Sequence, residues 1–369
     1  MKQEIRDKLD RIHTLYPPER IEASKARWRW LWHGGERPDR LPFFYNTFMP
    51  RYYGTIYDTT EQLLHARLDE YIIRGQLGDD YIPAIFTGCK TSTIPTMFGA
   101  REFQIDFAFD CDPVLESIED VPKLITPTLE GSTAERWLNT LRELRDLTEG
   151  ELPIHVIDMQ GPADVCGKLL GYEQMLMGAY NAPDLFHELM RKVTDVFVML
   201  WEAQKEILGD LFVPTHLNAQ SWVPNEPRAS VSIDSLDMIG PDFYDEFFRP
   251  HIVALGERLG DLTIHSCGDP SPVLKSVAET PHVCGINAAQ LSIKQAAEAL
   301  DGADCVIVGA AKLSGDIEDT TTFIRQRDLR CDLKVNGIWP KHADGTVIPP
   351  EDWSGSSWDE HRRVLKLLS

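Results

Sequence analysis

Two hydrophobic periods alternate along most of the chain. Short apolar runs of the length a buried strand needs stand at 41–46, 81–87, 153–158, 211–217, 261–264, 282–286, 304–308 and 332–335. Between them lie stretches with apolar residues at helical spacing: 60–74, 133–147, 163–208 with a break at Asn181-Ala182-Pro183, 241–259, 272–279, 292–299 and 320–327. A polar, Pro-containing loop with Trp222, Pro224 and Pro227 leads from the fourth run to 230–233. Ahead of the first run an amphipathic helical segment reaches to about residue 33 and carries Trp28, Trp30 and Trp32, whose indoles pack on the body or on a partner. The tract 98–125 alternates instead, with Phe103, Ile105 and Phe107 two apart, and reads as a hairpin-like insertion after strand two. Strand and helix in alternation predict an α/β fold, a (β/α)₈ TIM barrel spanning 1–369 as one domain, with 1–40 as a helical extension and 98–125 as the insertion.

Composition narrows what such a barrel serves. With 37 Lys and Arg against 58 Asp and Glu, the net charge of −21 repels phosphate backbones and anionic lipid surfaces, which excludes nucleic acid and membrane partners. The seven cysteines follow no secreted-domain spacing, and no apolar run is long enough to span a bilayer, so a cytoplasmic protein is expected. The Trp-rich amino-terminal segment makes a homodimer an expectation as well.

In a barrel the carboxyl ends of the strands carry the chemistry. They nominate Tyr45 and Asn46 after strand one, Cys89 after two, Asp158 and Gln160 after three, and His216 and Asn218 after four. Asp234 follows in the next segment, then His265 and Cys267 after five, Asn287 and Gln290 after six, Lys312 after seven and Asn336 after eight. The sharpest signal is His265-Ser266-Cys267-Gly268. Residues i and i+2 of a strand share a side, so imidazole and thiol converge, and both are good zinc ligands. Asp158 and Asp234 also suit turns or helix caps. Cys284 and Cys305 read as core, and Cys111 has no assigned role.

Four stretches in series resemble the uroporphyrinogen decarboxylase superfamily: Ala26-Arg27-Trp28 through Arg40-Leu41-Pro42, Gln160-Gly161-Pro162, Ile239-Gly240-Pro241 through Phe248-Arg249-Pro250, and Ile264-His265-Ser266-Cys267-Gly268. The resemblance implies a (β/α)₈ barrel. It also implies either of two activities, decarboxylation of uroporphyrinogen or zinc-dependent methyl transfer with a corrinoid protein. The markers of the decarboxylases are largely replaced. Of their two arginines after strand one, Arg51 stands and Thr47 takes the other place; Gly88 follows Phe86-Thr87 where they carry Asp after Phe-Ser; Lys168 falls where they carry Tyr; and Asn336 falls where they carry His.

The His-x-Cys-Gly signature marks the methyltransferase branch, whose second Cys on strand eight again falls on Asn336. His265 and Cys267 are therefore expected as zinc ligands, with Cys89 or His216 completing three. Asp234, Asp158 and His216 are expected to orient substrate or move a proton, and Tyr45, Asn46, Arg51, Gln160, Trp222 and Asn336 to surround it. Zinc would act as Lewis acid on a small O-methyl or S-methyl compound. No Asp-x-His-x-x-Gly motif occurs, so the corrinoid (cobalamin) would arrive on a separate protein. Two other outcomes have distinct signatures: a decarboxylase or lyase that works without metal and depends on Arg51, and a non-catalytic ligand-binding homologue.

Overall fold

The computed structural model describes residues 2–45, 57–88, 90–105, 108–214, 222–223, 228–308, 317–335, 340, 348 and 350–368. Two helices, Gln3–Leu15 and Pro18–His33, open the chain where one segment was expected. Pro17 and Pro18 offer no amide hydrogen, so a continuous helix cannot pass through them, and Pro18 serves as the first residue of the second helix. Trp28, Trp30 and Trp32 are all buried against the body. The Trp28 indole donates to Asp80 O at 2.8 Å and that of Trp32 to Trp222 O at 3.1 Å. The expected homodimer therefore finds no support in an exposed tryptophan cluster.

Ten strands are described. They are β1 (Phe43–Tyr45), β2 (Glu102–Ile105), β3 (Ala108–Cys111), β4 (Ile154–His155), β5 (Phe212–Val213), β6 (Arg228–Ser232), β7 (Asp261–Ser266), β8 (Val283–Ala288), β9 (Val306–Ile307) and β10 (Leu333–Val335). β2 and β3 form the antiparallel hairpin expected within 98–125. The other pairings are parallel: β6-β7-β8-β9, β4-β5 and β1-β10. A bridge joins Ile85 to Ile154 and another joins Ile307 to Cys331, while Ser230 N donates to Pro214 O at 3.2 Å and Asp80 N to Phe43 O at 2.8 Å.

β6 is a departure from the expected eight steps, which passed over 230–233. Trp222, expected to wall a substrate pocket, packs on the second amino-terminal helix, with Lys25 and Arg29 over its ring at 5.7 and 5.5 Å and its carbonyl bonded to Trp32.

The helical stretches follow the hydrophobic pattern with two breaks it did not show. Gly171 separates Pro162–Leu170 from Tyr172–Asn181, and a π-helical turn, Tyr244–Phe248, interrupts the helix that ends at Leu259.

Register sets the layers inside the sheet. Ser232, His265 and Asn287 are in line across β6, β7 and β8, and Ser230, Thr263 and Gly285 form the row beneath. Trp32 is pressed into that lower row. A Cβ on Gly285 would stand 2.9 Å from the Trp32 ring and 3.0 Å from Thr263 Cγ2, so glycine is what lets the indole close the floor.

Candidate metal centre

β7 delivers His265 on its inner face, and Cys267 follows as the chain leaves the sheet. His265 Nε2 and Cys267 Sγ are 3.4 Å apart. Asp234, just beyond the end of β6, brings Oδ1 to 3.6 Å from the same nitrogen and accepts the Cys267 amide at 2.8 Å. Among the described residues these three form a group whose potential ligand atoms all lie within 4.8 Å of one another. Ligand atoms around a tetrahedral zinc ion stand roughly 3.3–3.8 Å apart given bonds of about 2.0–2.3 Å, so the imidazole, thiol and carboxylate match such an ion in kind and spacing. They also leave a fourth position open.

The neighbours of the triad set its orientation. Asn287 Nδ2 donates to Val308 O at 2.5 Å, which leaves its Oδ1 to face His265 Nδ1, also at 2.5 Å. An acceptor there keeps the hydrogen on Nδ1 and turns the Nε2 lone pair toward Cys267 and Asp234. On the other side, Gln160 Nε2 donates to Asp234 Oδ2 at 3.3 Å. Asp164, fully buried in the helix Pro162–Leu170, accepts the amides of Asp234 and Ser235 at 2.7 and 3.0 Å.

Burial and charge disfavour the ionised forms of two of these groups. Burial, then the Asp234 charge, pushes the Cys267 thiol up to about 12. Burial, then the same charge, holds Asp164 above the usual carboxylate range, against the two amides that favour its anion. A cation among these groups would reverse that trend, since a coordinated thiol is deprotonated.

Of the expected site residues, the structure brings Asp234, His265, Cys267 and Gln160 together. Asp158 is buried beside Gln160 and lines a small cavity with Met159, Phe197, Trp201, Ser230 and Ser232. Tyr45 is fully buried with its hydroxyl 2.6 Å from His361 Nδ1 in the helix Gly355–Leu368, which places it in the packing between sheet and helix. Asn46, Arg51, Cys89, His216 and Asn336 lie outside the described residues, as do Asn218 and Lys312. Asp164 was not anticipated: a single Asp at the third position of a helix has the appearance of an ordinary first-turn carboxylate.

Residues 92–223 match the family model described as uroporphyrinogen decarboxylase (URO-D). Over that stretch the chain is similar to this family. Among solved structures it is similar to a methyltransferase from Methanosarcina mazei, at 14% identity and a TM-score of 0.63, over 93% of this chain and 97% of that one. That likeness is one of fold, of TIM-barrel type. A B12-independent methionine synthase from Shewanella sp. W3-18-1, in complex with selenomethionine, is similar at 10% identity and a TM-score of 0.45, over 88% and 94% of the two chains. No curated protein matches the sequence. Among the described residues no helix is long and apolar enough to cross a membrane.

Proposed function

We propose that this chain is a methyltransferase in which Asp234, His265 and Cys267 hold zinc, and that it passes a methyl group between a small O-methyl or S-methyl compound and a corrinoid carried by a separate protein. The convergence of imidazole, thiol and carboxylate around one point is the observation that carries this reading. The family match and the fold shared with a methyltransferase support it. The parallel strand pairs are read as the wall of one (β/α)₈ barrel, with 1–40 as its helical extension and 98–125 as its insertion. The corrinoid partner would approach the edge where β7 ends.

When bound, zinc supplies a Lewis acid that lowers the basicity of the substrate's oxygen or sulfur. The protein's own groups do the rest. Asn287 fixes the imidazole tautomer. Asp158 and His216 are the groups assigned to proton movement, and Asn46, Arg51, Gln160 and Asn336 to substrate contact, while the third ligand place for which Cys89 was expected is given to Asp234. Asp234 takes the ligand role here. Decarboxylation is disfavoured by Lys168, which replaces the expected Tyr and is engaged 2.5 Å from Asp110 of the hairpin.

Elemental mass spectrometry on untagged protein grown with zinc tests the proposal. About one zinc per chain is expected of a site with three protein ligands, falling to background in His265→Ala and Cys267→Ser and clearly reduced in Asp234→Asn. A folded parent that holds no zinc overturns it.

A further inference from the structure

We infer that the turn Gln160 to Asp164 is a positioning clamp whose task is to hold the Asp234 carboxylate in the metal centre; the inference rests on the zinc reading above. Asp234 belongs to no regular strand or α-helix. It begins a short 3-10 turn, Asp234–Met238, just past the end of β6, where an unrestrained carboxylate would swing toward water. Four bonds from one short stretch prevent this. Gly161 N donates to Ser232 O at 2.8 Å, Gln160 Nε2 to Asp234 Oδ2 at 3.3 Å, and the two oxygens of Asp164 accept the successive amides of Asp234 and Ser235 at 2.7 and 3.0 Å.

Three features show that this contact is built rather than incidental. Asp164 is 0% exposed, and a carboxylate is expensive to bury unless it is fully engaged. A Cβ on Gly161 would fall 2.3 Å from Ser232 O, so only glycine permits the turn to seat so closely. Gln160 adopts φ +56°, a conformation that L side chains rarely take, and is 8% exposed, with Oε1 unpartnered among the described residues. The segment thus carries backbone strain and an unmet acceptor, and what they achieve is one fixed amide: Nε2 on Asp234.

Asp234 Oδ1 in turn accepts the Cys267 amide, so the clamp, the carboxylate and the thiol form one connected unit. Neither Gln160 nor Asp164 is a metal ligand in this scheme. Both act through Asp234, as outer groups that orient ligands do.

Asp164→Asn tests it, because an amide has one acceptor oxygen and would turn its NH₂ against a backbone N–H. Zinc affinity is measured by competition with a chromophoric chelator, in a cycle with Asp234→Asn. Asp164→Asn is expected to weaken zinc on the order of 10–100-fold in the parent and to have little further effect once Asp234 is Asn. Gln160→Met, which keeps the length and loses the donor, is expected to weaken zinc several-fold and is decisive should Asp164→Asn not fold.

Equal losses in both backgrounds, or parent affinity in a folded Asp164→Asn, overturn the clamp. Zinc failing to bind the parent overturns the metal reading instead. Hydrogen exchange then judges the clamp alone: amides 234 and 235 of the metal-free parent are protected and lose that protection in Asp164→Asn, whereas unchanged exchange there overturns it.

Discussion

Cys267 shows how one side chain is tuned by what surrounds it. Its thiol is pushed up to about 12 by burial and by the carboxylate of Asp234. In zinc-free protein at pH 8 it should therefore react with iodoacetamide on the order of a thousand-fold more slowly than an ordinary cysteine, since the thiolate is the nucleophile. Asp234→Asn removes the second cause and should speed the reaction, as peptide mapping of the alkylated site would show; alkylation of the parent at the ordinary rate refutes this. The His-x-Cys spacing was legible in the sequence because strand geometry fixes where i and i+2 point. The carboxylate that joins them was visible only as one of several strand-end groups. Its convergence depends on β6 lying beside β7, a matter of register that no single segment encodes.

At the scale of elements, the helix Pro183–Leu208 packs on Arg249–Leu259 through a pair of imidazoles, His187 Nδ1 and His251 Nε2, 2.9 Å apart. Burial first, and then His187 and Arg191, pull His251 from its usual 6.5 down to about 4. The folded state thus binds fewer protons than the unfolded chain between those values. The resulting stability is complete above the unfolded value and is lost as pH falls toward 4. By pH 5 the loss is about 2 kcal/mol. Urea unfolding at pH 7 and pH 5 should show this difference shrinking by roughly that amount in His251→Gln; an unchanged difference rules it out. Most helices and strands could be read from period alone, whereas β6 could not. Its Ala229-Ser230-Val231-Ser232 stretch alternates small polar and apolar residues after a Pro-rich loop, and its strand identity comes from the neighbours it pairs with.

For the molecule as a whole, Trp32 ties the amino-terminal helices to the sheet floor beneath His265. Trp32→Ala should cost about 3–5 kcal/mol in urea unfolding while zinc content stays at the parent level, because the indole packs at Gly285 and Thr263, in the row below His265. Zinc lost in step with stability would show that floor and site are one unit. The alternation of strand and helix was legible in the sequence. The packing of Trp222 on the amino-terminal helix was not, since it joins segments 190 residues apart.

The pairing of β1 with β10 sets Tyr45 beside Val335, from opposite ends of the sequence. During synthesis on the ribosome the first strand therefore waits for this partner until β10 has emerged. Such late, long-range closure is slow and leaves nascent chains sticky. This protein is accordingly expected to lean on chaperones at birth, and truncations that remove β10 should aggregate rather than yield a smaller folded core.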